Sequence, residues 1–98
     1  MFCKIHKSYR DVVAICDSDL IGKYFEDGEF QLDVKESFFK GDEVDTEKIK
    51  EIISNMQRED ATFNIVGEHS IKCAIESGII SEDIVKKIQD VPFALVLL

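Results

Sequence analysis

The sequence predicts an α/β protein, with an α+β arrangement also open, built on a single small mixed β-sheet. A continuous apolar run, VVAIC, is typical of a strand buried on both faces. An apolar stripe at helical spacing follows in residues 46–57. A second apolar stretch, FNIV, leads through one glycine into another helical pattern. Strands that alternate with helices in 98 residues favour one globular domain over residues 1–98, with an N-terminal hairpin and two main helices.

The first predicted element is a hairpin that spans FCKIHKSYRDVVAIC. With Tyr9 and Arg10 as a two-residue loop, Cys3 falls opposite Cys16, whereas a three-residue loop shifts this register. Asp17 or the serine after it is suited to cap a single helical turn.

Residues 29–35 follow with alternating apolar and polar side chains, as expected of a strand with one solvated face. Phe38 and Phe39 are expected to anchor the next connector to the core.

The helix predicted over residues 46–57 has Asp45 as its N-cap. Its apolar residues recur at i, i+3, i+4 and i+7: Ile49, Ile52, Ile53 and Met56. Residues 62–66 are predicted as a short strand, residues 68–77 as the second main helix, and residues 85–88 as a last strand. If strands 62–66 and 85–88 lie parallel, their connection is right-handed.

The C-terminal tail, residues 91–98, is apolar apart from its proline and contains FALVLL. Six consecutive apolar residues would make a sizeable exposed patch if nothing covered them. The tail is therefore expected to add a strand, to fill the core, or to enter a partner chain. A homodimer through Val91 to Leu98 is one such arrangement.

Charge and cysteine content narrow the class of function. Twenty acidic against twelve basic residues give a net charge of −8, which favours a protein partner over nucleic acid. Three cysteines without a C-x-x-C pair, a charged N-terminus and no membrane-length apolar run predict a cytoplasmic protein without a membrane partner.

A ligand-binding cleft is predicted where the VVAIC and FNIV strands end, because open α/β sheets place sites beyond the carboxyl ends of their strands. Six residues are candidates to line it: Asp17, Lys23, Asn64, Gly67, Glu68 and His69. Two of them have a simpler alternative, since Asp17 could be a helix cap and Gly67 a tight turn.

Catalytic and metal-binding roles have little support in the sequence. His69 and Cys73 are predicted to share a partly exposed helix face, but a zinc site needs three or four ligands and the others show no suitable spacing. An acid beside Cys16 raises the pKa of a thiol and weakens it as a nucleophile. We therefore assign no catalytic residue and no metal ligand, and the cofactor is unknown.

Three segments resemble the motifs of one known family. CDSDLIGKYF is similar to a C-D-x-x-L-x-G-K-x-F signature, NIVGEHSIKCAIESGII to an N-I-V-G-E…A-I-x-x-G signature, and DVPFA to a terminal G-V-P-H-A segment. Together they resemble the small archaeal proteins of domain-of-unknown-function family 424. Two positions depart from the pattern, with Asp90 in place of glycine and Phe93 in place of histidine.

The resemblance implies a compact α/β domain without an established activity, with an association with archaeal translation genes. Our first hypothesis is a non-enzymatic binding module linked to translation through protein contacts. The alternatives are a small enzyme or small-ligand binder with its cleft near Asp17 and Gly67, and a homodimeric interaction protein.

Overall fold

The computed structural model describes residues 1–97, in which six strands form one sheet and two form a separate hairpin. The sheet contains β1 (Phe2–His6), β2 (Val12–Cys16), β5 (Asp42–Glu43), β6 (Thr62–Val66), β7 (Lys86–Ile88) and β8 (Val91–Val96). The separate hairpin contains β3 (Tyr24–Asp27) and β4 (Phe30–Asp33). The helices are α1 (Glu36–Phe39), α2 (Thr46–Arg58) and α3 (Glu68–Glu76), with short 3-10 turns at Ser18–Leu20 and Glu82–Ile84.

The strand order in the main sheet is β5-β1-β2-β6-β8-β7. β2 and β6 pair in parallel, and every other neighbouring pair is antiparallel, so the predicted mixed α/β sheet is confirmed. The expected β6–α3–β7 unit is split, because β8 lies between β6 and β7 and pairs with both. The predicted last strand is thus the sheet edge, and the true last strand is the tail.

β2 is buried on both faces, as its unbroken apolar run predicts. Val13 and Ile15 pack into a core shared with α2 and α3. Ala14 and Cys16 point to the other face, where they meet a second cluster that contains Val34. The helices α2 and α3 therefore cover one face of the sheet, and the β3–β4 hairpin with α1 covers the other.

The helix α2 agrees with its predicted pattern and cap. Ile49, Ile53 and Met56 are buried along one stripe. The side chain of Asp45 accepts a hydrogen bond from the backbone N–H of Lys48 at 2.9 Å, which satisfies one of the first-turn donors.

The register of the N-terminal hairpin differs by one residue from the two-residue-loop prediction. Cys3 lies opposite Ile15, not Cys16. The connection has five residues, since Asp11 folds it back by accepting from the Ser8 backbone N–H at 3.4 Å and from Lys7 Nζ at 3.2 Å. A carboxylate that binds local donors in this way stabilises a longer turn.

The β3–β4 hairpin is only half present in the predictions. The alternation in residues 29–35 indicated β4, but the pairing partner β3 was not predicted, and the two strands form their own sheet. Of the apolar residues in that alternation, Phe30 is 70% exposed, whereas Val34 is fully buried. Phe39 is buried and Phe38 is half-buried, so the predicted aromatic anchor is confirmed.

The tail forms β8 inside the sheet. β7 pairs only with residues 91–93 and β6 with residues 93–96, so one side of the last residues of β8 has no strand beside it in residues 1–97. Leu95 is 53% exposed there. Leu98, part of the predicted dimer segment, lies outside the described residues.

Within residues 1–97, no helix has both the length and the apolar character needed to cross a membrane.

Burial keeps the thiols of Cys3 and Cys16 protonated. Burial and then the Asp17 carboxylate raise the pKa of Cys16 to about 12, and burial and then Asp42 raise that of Cys3 to about 11. The thiols are therefore kept protonated near neutral pH, as expected for small apolar core residues.

This pKa shift predicts how stability depends on pH. Above about pH 9, the Cys16 thiol ionises in the unfolded chain but stays protonated in the folded one, so folding loses up to about 1.4 kcal/mol per pH unit. The excess in unfolding free energy of the wild type over Cys16→Ala is expected to shrink between pH 8 and 10.5. Urea unfolding of both proteins across that range measures it. An excess that stays constant would contradict the shift.

Candidate functional site

The ends of β2 and β6 meet at one edge of the sheet, as predicted for the cleft. Cys16 lies opposite Val66 in the parallel pair, and the next backbone N–H, that of Asp17, donates to the Val66 carbonyl at 3.0 Å. The Gly67 N–H donates to the Pro92 carbonyl at 2.8 Å, which brings the start of β8 to the same edge. Segments distant in the sequence therefore form one rim.

Asp17 caps a helix, but not the helix that the sequence predicted. Its side chain makes no capping bond to the turn that follows it. Instead it caps α3, where Oδ2 accepts from the His69 N–H at 3.1 Å, and Oδ1 accepts from the Ser70 N–H at 2.8 Å and from Ser70 Oγ at 2.7 Å. Asp17 is 6% exposed, and its negative charge at the helix N-terminus is favourably placed.

Gly67 is required because the Asp17 carboxylate occupies the place of a side chain. The backbone of Gly67 has φ of 109°, in a region that L-residues rarely adopt. A Cβ built on it would lie 2.3 Å from Asp17 Cγ. Gly67 therefore acts as the N-cap residue of α3 without a cap of its own, and the remote aspartate supplies the capping oxygens.

A cleft of about 340 Å³ opens beside this junction. Its lining includes four carboxylate residues, and none of its described lining residues is lysine or arginine: Asp17, Asp19, Leu20, Gly67, Glu68, His69, Asp90, Val91 and Pro92. Asp19, Glu68, His69 and Asp90 are exposed. The cleft is therefore an acidic, open depression around one buried carboxylate.

Asp90 is a cleft residue that sequence reasoning missed as a site candidate. It lies in the two-residue turn between β7 and β8, where Gln89 has φ of 50° and Asp90 has φ of 66°. Positive φ at both turn positions matches a tight hairpin turn, which glycine, asparagine and aspartate favour. The G-V-P-H-A motif has glycine at this position. Because glycine often marks a residue with positive φ, the motif already indicated a tight turn here.

Four of the six predicted site residues line this cleft: Asp17, Gly67, Glu68 and His69. The structure places the other two elsewhere. Lys23 is exposed, and its backbone pairs with Val34 beside the β3–β4 hairpin. Asn64 lines a separate, mostly apolar cavity of about 290 Å³ under that hairpin, on the face of the sheet away from α3. The alternation of side chains along β6 accounts for this separation.

The predicted face shared by His69 and Cys73 is exposed only at His69. Cys73 is buried, and its Sγ lies 3.9 Å from Met1 Sδ. Burial is the main cause of the raised pKa of this thiol. A helix face that looked free from the sequence is thus covered by the N-terminal residue. In residues 1–97, no group of three or more His, Cys, Asp or Glu side chains is arranged to hold a metal ion.

The remote cap predicts an unequal cost for two aspartate substitutions. Asp17→Ala leaves the helix start and the buried Ser70 hydroxyl without an acceptor, which is expected to cost about 2–4 kcal/mol of unfolding free energy. Asp45→Ala, which removes the exposed local cap of α2, is the matched control and is expected to cost about 1 kcal/mol. Urea unfolding of both variants measures the difference, and equal losses would show that Asp17 is an ordinary cap.

The close approach of Asp17 to Gly67 predicts that their substitutions are coupled. Gly67→Ala introduces both backbone strain and a clash with the carboxylate, so it is expected to destabilise the wild type by about 3 kcal/mol or more. In the Asp17→Ala background the clash is absent, and the cost is expected to fall by at least about 1 kcal/mol. A double-mutant cycle by chemical denaturation gives this coupling energy. Strict additivity would contradict the contact.

The chain resembles one protein of known structure and matches one family model. A crystal structure of an uncharacterized conserved protein from Methanopyrus kandleri has the same fold, with a TM-score of 0.84, 24% identity, and coverage of 97% of this chain and 88% of that chain. No curated protein matches the chain. The model of the family described as "Protein of unknown function (DUF424)" matches residues 6–98. The match confirms the resemblance carried by the three motifs, and the chain belongs to the DUF424 family.

Proposed function

We propose that this protein is a non-enzymatic binding module whose acidic cleft takes a basic segment of a protein partner. The observation that carries the proposal is the composition of the cleft, in which four carboxylate residues line about 340 Å³ without a lysine or arginine among the described lining residues. Because the whole chain also has a net charge of −8, its field attracts a cationic segment towards the cleft.

The bonding of Asp17 supports binding over catalysis. A carboxylate offers about four acceptor positions, and three on Asp17 are used by the start of α3. Protonation of Asp17 would weaken the three bonds that hold the start of α3, so this carboxylate is poorly suited to act as a general base.

The thiols of Cys3 and Cys16 are not suited to act as nucleophiles of a small enzyme. Cys16 and Cys3 are buried with pKa values of about 12 and about 11, so neither supplies a thiolate near neutral pH.

Two further parts of the hypothesis remain proposals. The resemblance to family 424 suggests translation, so basic segments of ribosomal proteins and initiation factors are the first partners to test. A homodimer through Val91 to Leu98 has only residues 94–97 of the described tail to offer an unpaired edge, since β7 already covers residues 91–93. A protein partner at the acidic cleft therefore has more support than a second copy at the tail.

A hexa-arginine peptide tests the cleft directly. In a ¹⁵N-HSQC titration, the largest shifts are expected at the backbone amides of Asp19, Glu68, His69 and Asp90. Affinity is expected to fall at least about threefold between 50 and 200 mM salt, because the exposed charges are screened. The double variant Glu68→Gln/Asp90→Asn is expected to bind at least about fivefold more weakly, on the order of 1 kcal/mol.

The control removes one charge elsewhere. Glu59→Gln alters an exposed carboxylate at the end of α2. Glu59 lies near the amino end of β6, whereas the cleft lies beyond the carboxyl end of that strand. It is expected to change the affinity by less than about twofold. If the shifts spread evenly over the surface, or if Glu59→Gln weakens binding equally, the peptide is attracted by the overall surface charge and not by the cleft.

A further inference from the structure

A second depression continues from the acidic cleft along α3. It has a volume of about 580 Å³, and it shares Glu68 and Pro92 with the cleft. Its remaining lining comes from four residues of α3 on one side, Ile71, Lys72, Ile75 and Glu76, and from Glu82, Val85 and Lys87 on the other. We call this second depression the α3 groove.

The α3 groove differs in chemistry from the cleft. Ile71, Ile75, Val85 and Pro92 provide apolar surface, and charges of both signs stand around it. Of the acidic ones, Glu76 is bound by Lys50 Nζ at 2.9 Å, and this contact lowers its pKa. The α3 groove thus suits an apolar side chain, whereas the cleft suits a cationic one.

We propose that the cleft and the α3 groove together bind one extended peptide segment with a basic side chain in the cleft and an apolar side chain in the groove. This inference rests on the proposed function and names the partner's chemistry. Charge complementarity at the cleft and the continuity of the two depressions across Glu68 and Pro92 support a single ligand.

Helix geometry sets the spacing of the two side chains. Glu68, at the cleft end, and Ile75, in the groove, are seven helical positions apart, which is about 10 Å along the helix axis. An extended peptide advances about 3.3 Å per residue, so the basic and apolar side chains are about three residues apart. Positions three apart project to the same side of an extended segment in the polyproline II conformation, which has about three residues per turn, so both side chains can face the protein.

Peptides that carry one or both side chains test this inference. The probes are capped octapeptides of glycine and serine with one arginine, with one leucine, or with both placed three positions apart in either order. A fifth probe places the arginine and leucine next to each other. Dissociation constants are measured by ¹⁵N-HSQC titration into the millimolar range.

One order of the three-apart peptide is expected to bind at least about tenfold more tightly than the arginine-only and adjacent peptides. The Val85→Ser variant is expected to erase this gain. Ile84→Ser is the matched control, because Ile84 precedes Val85, is 43% exposed and does not line the groove, so the gain is expected to persist.

The possible failures are distinguishable. If arginine-only and three-apart peptides bind equally, the groove proposal is wrong while the cleft proposal stands. A gain that survives Val85→Ser would place the leucine elsewhere and also overturn the groove. If no arginine peptide binds at the cleft, both proposals fall together.

Discussion

The hydrogen bonds between the Asp17 carboxylate and the start of α3 join the segments that form the candidate site. A usual N-cap satisfies the helix that begins at its own position, so it forms with local structure. Here 52 and 53 residues separate the carboxylate from the N–H groups of His69 and Ser70. The cap therefore exists only when β2 and β6 are paired and α3 is docked, and it links the three elements in one cooperative contact.

Gly67 makes this contact possible. With no Cβ, it lets the carboxylate lie where a side chain would stand, and its positive φ turns the chain from β6 directly into α3. Gly67 is therefore a tight turn and also part of a cleft wall, the two roles that the sequence left open. The glycine is needed for a protein carboxylate, and the same bend also forms the wall of a cleft.

Sequence reasoning succeeded where structure is specified locally. The i, i+3, i+4, i+7 stripe and Asp45 define α2, and an unbroken apolar run defines β2, because period, cap and burial all lie within one short window. It failed where a distant segment decides. The hairpin register depends on how Asp11 folds its loop, and FALVLL has no period that distinguishes an interior strand from an interface.

The site was predictable to the same extent. The convergence of Asp17 and Gly67 followed from the rule that parallel strands end at one edge. Asp90 and Pro92 join that edge only because β8 inserts beside β6, which no local pattern specifies. The side chain of Asn64 lies on the other face of the sheet. This placement follows from the alternation of side chains along β6, which the site prediction did not take into account.

The separation of roles among the cleft carboxylates bears on what kind of ligand it can hold. Asp17 is buried and accepts three hydrogen bonds from the start of α3, so its role is structural. Asp19, Glu68 and Asp90 are exposed, and attraction to exposed charges is weak and screened by salt. A cation bound there as we propose would associate quickly and dissociate quickly. A long-lived complex would need desolvated apolar contact as well, and the surface that can provide it next to the cleft is the floor of the α3 groove.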